Sequence, residues 1–322
     1  MKVLLVQPDW QQEGFGFRLA AMPEPLGLEM LAAALPDHDV RILDLRCGDE
    51  LVEEVRSFQP DLVGVTALTP EVYAAGEVLR QVKGVCPDIF TVVGGYHASL
   101  VPEDFCIPEV DAIIIGEGEC VLASLVAALA SKGDLSRIGN LVYRSPEGRF
   151  HFNKGRPAEV DLDNLPLPRR DLTARHREKY FFLFDRPDTS MSTGRGCPYR
   201  CNFCSVWEFY RRRTRMMPPA RVIAELKTVQ TEHVTFVDDN FLLNSRRESR
   251  IADMIRAEGI QRGYSMECRT DAIMRHPDLV EKWVKIGLYA VLLGLEGSEA
   301  TLRSVNKKIS VRTNDRAIEI LQ

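Results

Sequence analysis

Gly196-Cys197-Pro198-Tyr199-Arg200-Cys201-Asn202-Phe203-Cys204 carries the most informative spacing in this chain of 322 residues. Its CxxxCxxC pattern puts three thiolates on one short loop, and the next cysteine along the chain is as far away as Cys268. Cysteine thiolates hold iron-sulfur clusters, and a cubane cluster has four irons. A loop that ligates three irons leaves the fourth able to bind and reduce a small molecule, so the loop is predicted to be a reactive site.

Two other kinds of metal site fit this spacing less well. A structural zinc site closes with four ligands, and neither Cys268 nor His233, the nearest downstream histidine, lies at the spacing of a zinc knuckle. An electron-transfer ferredoxin uses a CxxCxxC run and a fourth cysteine followed by proline, which this stretch lacks. An open iron-sulfur cluster is therefore the favoured interpretation, with zinc or a chance spacing as the alternatives.

The cysteine spacing, with the aromatic Phe203 just before the last cysteine, resembles the signature of the radical S-adenosylmethionine (SAM) enzymes. This resemblance implies that Cys197, Cys201 and Cys204 hold a [4Fe-4S] cluster, that its open iron takes the amino and carboxylate groups of SAM, and that Phe203 belongs to the SAM site. It further implies that the reduced cluster cleaves SAM to a 5'-deoxyadenosyl radical, with a reductant such as flavodoxin or ferredoxin as partner.

Composition suits about two globular domains, since 45% of the residues are hydrophobic and 27% are charged. A formal net charge of -5 argues against a general nucleic-acid binder. No apolar run approaches the roughly 18 residues of a membrane span, and the start of the chain lacks a signal-peptide pattern. We therefore expect a soluble, cytoplasmic protein whose remaining cysteines are ordinary core or surface residues, namely Cys47, Cys86, Cys106, Cys120 and Cys268.

The first part of the chain alternates short apolar runs with helical periodicity. The runs are Val3–Val6, Val40–Leu43, Leu62–Val65, Thr91–Val93 and Ala112–Ile115. Buried strands that alternate with helices predict an α/β fold with a doubly wound, parallel, Rossmann-like sheet. In such sheets ligands bind beyond the carboxyl ends of the strands.

Glycine and hydroxyl residues gather where two of these predicted strands end. Thr66 and Thr69 follow the third strand, and Gly94 and Gly95 follow the fourth. Glycine lets backbone approach a ligand closely, and hydroxyls can bond a phosphate or sugar. Each turn alone is ordinary turn chemistry. Together, ahead of the CxxxCxxC loop, they resemble a cobalamin-binding domain, which implies that these four residues hold the nucleotide tail of cobalamin.

The loop after the first strand departs from the wider cobalamin pattern. Many cobalamin domains carry DxHxxG there, and its histidine coordinates cobalt from below, whereas residues 7–15 of this chain contain no histidine. His38 and His97 lie elsewhere and are expected to be solvated or locally bonded. The group that faces the lower side of cobalt is left open by the sequence.

A connecting segment is predicted between two domains. Residues 140–144 and 149–152 flank a Ser145-Pro146-Glu147-Gly148 turn that suits a hairpin, and the proline-rich residues 161–168 are expected to be extended. His151 and His176 are expected at the surface. The predicted organisation is a cobalamin-binding domain at residues 1–135, a hairpin and extended linker at 136–188, and a radical SAM domain at 189–322.

The last part of the chain repeats strand, loop and helix. Predicted strands are Ser190–Gly194, His233–Val237, Tyr264–Cys268 and Tyr289–Leu295, and helices are expected to begin near Pro219, Arg246 and Asp278. This pattern predicts a parallel barrel with its chemistry at the carboxyl ends of the strands. Radical SAM barrels of this type usually have six strands, so we expect a partial (β/α) barrel of about four strands, truncated at its C-terminus.

Polar residues follow the predicted barrel strands. Asp238 and Asp239 follow the second strand, Glu267 and Arg269 lie at the end of the third, and Glu296 follows the fourth. As alternatives, the aspartates would cap the next turn, and Glu267 would pair with Arg269 on one face of a strand. Resemblance to radical SAM enzymes instead implies that all five residues bind SAM, with the aspartate turn at its amino group.

A cobalamin-binding domain ahead of a radical SAM domain resembles the cobalamin-dependent radical SAM enzymes. The resemblance implies a methyltransferase that moves a methyl group from cobalamin to an unactivated carbon. Residues 201–210, 236–244 and 292–297 are similar to hopanoid C-3 methylases, and also to the anaerobic cyclase that acts on magnesium-protoporphyrin monomethyl ester.

Hopanoid C-3 methylation is the favoured hypothesis. The alternatives are a cyclase or methylase of a tetrapyrrole and a non-catalytic cobalamin or iron-sulfur binding fragment. The implied partners are a small-molecule or lipid substrate and the reductant, with peripheral rather than transmembrane contact at a membrane.

Overall fold

The computed structural model describes residues 1–9, 17–155 and 160–322. These residues form two units, Met1–Lys179 and Tyr180–Gln322. Within the described residues, no helix is both long and apolar enough to cross a bilayer.

A seven-stranded sheet is the centre of the first unit. The strands of this unit are β1 Lys2–Gln7, β2 Ala21–Met22, β3 Asp39–Asp44, β4 Leu62–Thr66, β5 Phe90–Gly94, β6 Ala112–Ile114, β7 Leu141–Arg144 and β8 Phe150–Phe152. All of them except β2 form one sheet in the order β3-β1-β4-β5-β6-β7-β8. The first five strands in that order run parallel. The predicted doubly wound α/β fold is confirmed, and each predicted apolar run coincides with a strand to within one residue at either end.

Helices cover both faces of this sheet. The helices of this unit are α1 Phe17–Ala20, α2 Leu26–Ala33, α3 Leu51–Phe58, α4 Val72–Val85, α5 Tyr96–Leu100 and α6 Glu119–Ser131. Of these, α3, α4 and α5 pack on one face of the sheet, and α2 and α6 pack on the other. Leu4 and Val6 of β1 pack into one buried cluster, and Val3 and Leu5 pack into another on the opposite face. Successive side chains of a strand point to opposite faces. A strand that is buried on both faces is therefore apolar throughout, which is why these strands could be predicted from continuous apolar runs in the sequence.

The predicted hairpin of the connecting segment belongs to the sheet of the first unit. Strand β7 pairs antiparallel with β6, and β8 pairs antiparallel with β7. This pairing gives partners to backbone groups that would otherwise line an open sheet edge. The bounds of the three regions predicted from the sequence, residues 1–135, 136–188 and 189–322, stay predictions.

Residues 170–177 are held to the first unit by buried charged groups. Glu29 in α2 is fully buried and accepts a hydrogen bond from the Thr173 hydroxyl, and Arg170 Nη1 lies 3.4 Å from Glu29 Oε2. His176 is also buried, with Nε2 2.9 Å from Asp49 Oδ2. The prediction that His176 lies at the surface is therefore wrong. A carboxylate partner offsets the cost of burying an imidazole, and the sequence pattern did not reveal that partner.

A four-stranded parallel sheet organises the second unit. The strands are β9 Phe181–Phe182, β10 Asp188–Met191, β11 Gly194–Arg195, β12 Arg215–Met216, β13 His233–Phe236, β14 Gly263–Cys268 and β15 Leu288–Leu293. The sheet has the order β10-β13-β14-β15, and its neighbouring strands are parallel. These four strands lie within one to three residues of the four predicted barrel strands, and they match the expectation of a partial radical SAM barrel.

Five helices of the second unit lie between strands of this sheet, and the last two follow its final strand. They are α7 Val206–Phe209, α8 Pro219–Leu226, α9 Ser245–Ala257, α10 Thr270–Arg275, α11 Pro277–Val284, α12 Glu299–Ser304 and α13 Val311–Leu321. Trp283 of α11 is fully buried, and its indole meets the rings of Phe236, Phe241 and Tyr264 edge-on. This aromatic core fixes the sheet beneath the loops at its carboxyl end.

Candidate functional site

The cysteine loop lies between β11 and α7, directly after the first strand of the parallel sheet. A short antiparallel pair, β11 with β12, closes its base. Cys201 is buried, whereas Cys197 and Cys204 are partly exposed, and the Cys204 amide donates to the Cys201 carbonyl at 3.1 Å. Burial raises the pKa of both the Cys197 and the Cys204 thiol. Metal coordination reverses such a shift, because a coordinating thiol is deprotonated outright.

The donor set of this loop, three cysteine thiols, is of the kind that holds an iron-sulfur cluster. Among the residues that the structure describes, no three His, Cys, Asp or Glu side chains converge closely enough to hold one metal ion. The three thiols belong to one short loop, in which the Cys204 amide donates to the Cys201 carbonyl at 3.1 Å, and negative charge on one of them raises the pKa of the next. The ligands of a cubane cluster need not converge, because each cysteine binds a different iron.

The start of the loop requires glycine at position 196. Gly196 has a φ of +84°, and a Cβ there would lie 2.1 Å from the Arg213 carbonyl oxygen. Its amide donates to Asp239 Oδ2 at 2.9 Å. The aspartate turn after β13 therefore holds the cysteine loop at its first residue.

Asp238 is a structural carboxylate of the same turn. It is buried, and its Oδ1 and Oδ2 accept from the Thr193 amide at 3.0 and 3.2 Å, while Oδ2 also accepts from the Thr193 hydroxyl at 3.0 Å. Burial raises the pKa of Asp238 to about 7. The partners of Asp238 belong to the residues after β10, so it does not act as the cap of its own following turn that the sequence offered as an alternative.

Three other carboxylates lie near one another, together with one buried ammonium group. Burial and the nearby Asp239 carboxylate raise the pKa of Glu267, Lys307 opposes this shift, and Glu296 adds to it. Lys307 Nζ donates to Glu296 Oε1 at 2.7 Å. The structure thus brings Asp239, Glu267 and Glu296 into one acidic group with a single lysine, an arrangement that suits a small ligand carrying a positive charge.

Arg269 and Phe203 occupy different environments at this end of the sheet. The Arg269 Nε donates to Asp271 Oδ1 at 2.9 Å. Its carboxylate partner is therefore Asp271, and the pairing of Glu267 with Arg269 considered from the sequence is wrong. The Phe203 ring is 58% exposed and has Lys307 Nζ 5.8 Å from its centroid. Lys307 and Asp271 were missed by the sequence reasoning, because neither belongs to a motif.

A segment far along the chain holds the backbone of the cysteine loop. The Asn306 side-chain amide donates to the Arg200 carbonyl at 2.7 Å. The Asn202 backbone amide donates to the Val305 carbonyl at 3.0 Å, and its side chain donates to the Ser304 carbonyl at 3.0 Å. We call residues 304–307 the docking segment. It begins at the last residue of α12, and no sequence pattern marked it as part of the site.

In the first unit, the predicted cobalamin turns meet at the carboxyl ends of β4 and β5. Gly95 has a φ of +98°, and a Cβ there would lie 2.8 Å from Thr66 Oγ1 and 2.9 Å from the Ala67 backbone. The Ala67 amide donates to the Gly94 carbonyl at 2.9 Å. Thr66, Gly94 and Gly95 therefore form one continuous surface of backbone and hydroxyl groups, which fits a sugar or phosphate group.

Thr69 joins this surface through a histidine. His97 Nδ1 lies 3.1 Å from Thr69 Oγ1, and its Nε2 lies 2.8 Å from Asp104 Oδ2. His97 is therefore locally bonded, as one of the two sequence alternatives had it. The interpretation of the histidine-free loop at residues 7–15 involves residues 10–16, which lie outside the described residues.

Two cysteines outside the loop have environments that keep them as thiols. Burial raises the pKa of Cys47 to about 11 and that of Cys268 to about 12. Both raised pKa values favour the thiol over the thiolate, which is the nucleophilic form, at neutral pH.

Two family models match the chain. The model described as "B12 binding domain" matches residues 17–126, and the model described as "Radical SAM superfamily" matches residues 191–322. Together these domains imply the cofactors cobalamin, SAM and a [4Fe-4S] cluster, as expected from the sequence.

Several curated relatives are similar over nearly the whole chain. Hopanoid C-3 methylase of Methylococcus capsulatus is 33% identical over 92% of this chain and 58% of its own length. An uncharacterized methyltransferase of Pyrococcus horikoshii is 30% identical over 99% of this chain and 71% of its own length. Anaerobic magnesium-protoporphyrin IX monomethyl ester cyclase of Rubrivivax gelatinosus is 28% identical over 100% of this chain and 60% of its own length. The chain thus spans about three fifths of the methylase and of the cyclase.

Solved structures share the fold. The cobalamin-dependent SAM radical enzyme OxsB, with aqua-cobalamin and SAM bound, has a TM-score of 0.82 at 18% identity and covers 99% of this chain and 47% of its own. The radical SAM methyltransferase TsrM of Kitasatospora setae, with cobalamin and a [4Fe-4S] cluster bound, has a TM-score of 0.76 at 21% identity and covers 99% of this chain and 64% of its own. At these identities the likeness concerns the fold.

Proposed function

This chain belongs to the cobalamin-dependent radical SAM family of methyltransferases, and on that premise we propose that it methylates an unactivated carbon of a small-molecule or lipid substrate. When bound, the cluster and SAM supply a radical that removes hydrogen from the substrate, and cobalamin supplies the methyl group. The observation that carries the proposal is the loop of three neighbouring thiols at the carboxyl end of a parallel sheet, beside the acidic group around Lys307.

We assign the residues of the second unit by their contacts. Cys197, Cys201 and Cys204 would hold the cluster at three of its irons. Asp239, Glu267 and Glu296 would attract the amino group of SAM, since they outnumber the one buried lysine among them. The exposed ring of Phe203 would contact the bound SAM. The side chains of Asp238 and Arg269 already bond Thr193 and Asp271. These two residues would therefore position the aspartate turn and the cysteine loop.

In the first unit, Thr66, Thr69, Gly94 and Gly95 would hold the nucleotide tail of cobalamin. The positive φ of Gly95 and the lack of room for a Cβ support a surface of exposed backbone. The Thr69 hydroxyl is oriented by His97 and remains at an exposed position.

The cysteine assignment is tested by anaerobic reconstitution with iron, sulfide and cobalamin, followed by reduction in the presence of SAM. We expect wild-type protein to form 5'-deoxyadenosine and S-adenosylhomocysteine, and the variant Cys201→Ala to lose both together with most of its iron. Cys86→Ala, at a cysteine outside the loop, is the matched control and should keep its iron. Formation of 5'-deoxyadenosine without S-adenosylhomocysteine would exclude methyl transfer.

The proposed substrate is a hopanoid, methylated at C-3. The support is the 33% identity to hopanoid C-3 methylase of Methylococcus capsulatus. Deleting the gene in its source organism should remove 3-methylhopanoids from lipid extracts, and reintroducing it should restore them. Unchanged 3-methylhopanoids in the deletion strain would contradict this assignment.

The second candidate is ring closure of a tetrapyrrole, because the cyclase of Rubrivivax gelatinosus is similar over 100% of this chain. A cyclase would form 5'-deoxyadenosine and convert magnesium-protoporphyrin monomethyl ester without forming S-adenosylhomocysteine. A non-catalytic fragment would bind cobalamin or a cluster and leave SAM intact after reduction. A flavodoxin or ferredoxin as reductant, and a cytoplasmic location with peripheral contact at a membrane, complete the proposal.

A further inference from the structure

Arg269 lies buried against the cysteine loop. Only 6% of its surface is exposed. Nη1 lies 3.9 Å from Cys201 Sγ, and Nη2 donates to the Lys307 carbonyl at 2.8 Å. The guanidinium carbon lies 3.6 Å from the centroid of the Tyr199 ring, which belongs to the same loop. One guanidinium therefore contacts a cysteine sulfur, an aromatic ring of the loop and the docking segment.

The position of this guanidinium is fixed by groups other than the thiol. The Arg269 amide donates to Asn240 Oδ1 at 3.2 Å, and its Nε is held by Asp271. Asp271 also accepts from the Tyr199 hydroxyl at 3.2 Å. Because a buried guanidinium is stable only when it is paired and bonded, Asp271 keeps the cation in place next to the sulfur. The sulfur contact thus follows from a rigid local frame.

We propose that Arg269 is a positioning residue that holds Cys201 by its sulfur and raises the reduction potential of a cluster on this loop. The inference rests on the proposed function in one respect, that the loop carries a cluster. Hydrogen bonds to the ligand sulfurs and the net charge near a cluster set its potential. A buried positive charge favours the state that holds one more electron, and it acts strongly because burial lowers the local dielectric.

The test compares Arg269→Gln with wild type after cluster reconstitution. The readouts are iron and sulfide content and the midpoint potential from a titration followed by electron paramagnetic resonance. We expect the midpoint of R269Q to be lower by at least the equivalent of a tenfold change in the reduction equilibrium, which is about 59 mV for a one-electron couple. A lower iron content than that of wild type in a folded R269Q protein would also support the positioning role.

Arg275→Gln is the matched control. Arg275 Nη2 binds Asp271 at 2.7 Å and lies 3.4 Å from the Tyr199 hydroxyl, but 54% of its side chain is exposed and its neighbours are not thiols. R275Q removes the same charge from a side chain that is half exposed and therefore screened by solvent, so its midpoint should equal that of wild type. An equal shift in R275Q and R269Q would overturn the inference, because it would show a general charge effect.

An R269Q midpoint and iron content equal to those of wild type would also overturn it. If circular dichroism shows that R269Q does not fold, Arg269→Lys decides. Lysine keeps the positive charge but cannot bond Asp271, the Lys307 carbonyl and the sulfur together. The positioning role therefore predicts a lower iron content in R269K at a midpoint close to that of wild type, and an iron content equal to that of wild type contradicts it. A wild-type protein that assembles no cluster contradicts the proposed function itself, which separates the two failures.

Discussion

Gly95 shows at the scale of one residue how the first unit's ligand surface is made. Replacing Gly95 by alanine would force a positive φ on a residue with a Cβ, and that Cβ would meet Thr66 and the Ala67 backbone. We expect Gly95→Ala to lower the free energy of unfolding by about 2 kcal/mol and to weaken retention of cobalamin. Urea unfolding and the absorption spectrum of retained cobalamin measure the two effects.

Gly84 provides the matched control for this substitution. It lies in α4, and a Cβ there has no heavy atom within 4 Å. Gly84→Ala should raise the free energy of unfolding by about 0.5–1 kcal/mol, because alanine favours helix over glycine. Equal stabilities of G95A and G84A would show that the Gly95 turn has more room than the structure gives it.

At the same scale, the sequence predicted which residues gather at the carboxyl ends of the strands but not how they are used. Glu267 and Arg269 would share a face only if the strand continued through both. Strand β14 ends at Cys268, and Arg269 precedes α10 with its side chain turned to Asp271. Lys307 reaches the site from 40 residues after Glu267 along the sequence, and such a tertiary contact leaves no periodic signal.

At the scale of elements, the docking segment keeps the backbone of the cysteine loop ordered. Asn306→Gly would keep the left-handed backbone of that residue, whose φ is 55°, and remove only the bond to the Arg200 carbonyl. One such hydrogen bond is worth about 1 kcal/mol. We therefore expect amides of residues 199–204 in the apoprotein to exchange with deuterium about fivefold faster, measured by mass spectrometry of the corresponding peptide.

Lys308→Gly is the control for this prediction. Lys308 is exposed and has a φ of 56°, so K308G changes a neighbouring left-handed residue without removing a bond to the cysteine loop. Its loop amides should exchange as in wild type. If N306G and K308G exchange alike, the Asn306 amide does not order the loop.

Elements could be predicted from sequence to the extent that local patterns define them. Apolar runs predicted the parallel strands of the first unit, because strands covered on both faces are apolar throughout, whereas the repeat of strand, loop and helix predicted those of the second unit. The helix starts predicted near Pro219, Arg246 and Asp278 lie within one residue of the first residues of α8, α9 and α11. Proline suits the first position of α8 and of α11, because that position needs no backbone donor. The hairpin turn was readable, but the pairing of β7 with β6 was not, since a turn sequence does not specify which strand lies beside the hairpin.

At the scale of the whole molecule, buried carboxyl groups make stability depend on pH. Burial and the nearby Glu24 raise the pKa of Glu29 from 4.5 to about 7. Between these values the folded protein retains a proton that the unfolded chain releases, so the free energy of unfolding falls as pH rises from about 4.5 to about 7. Glu29→Gln should remove this contribution, which is on the order of 2 kcal/mol.

The measurement is urea unfolding, followed by far-UV circular dichroism, of wild type and E29Q at pH 5 and pH 8. For each protein, the free energy of unfolding at pH 8 is subtracted from that at pH 5. A hydrogen bond lost in the variant lowers both values alike and therefore cancels in this difference. Glu178→Gln, at an exposed glutamate of the same connecting stretch, should keep the wild-type difference. A pH difference in E29Q as large as in wild type would contradict the role of Glu29.

The distance along the chain between the cysteine loop and the docking segment sets a sequence of events during synthesis. Asn202 and Ser304 are 102 positions apart, and Arg200 and Asn306 are 106 apart. At about 5–20 residues per second, a ribosome takes on the order of 5–20 seconds to make such a stretch. During that interval the three cysteines of the loop have been synthesised, but the docking segment that bonds the loop has not. The nascent chain therefore presents an unclosed loop to iron delivery, and equally to oxidants, before the protein is complete.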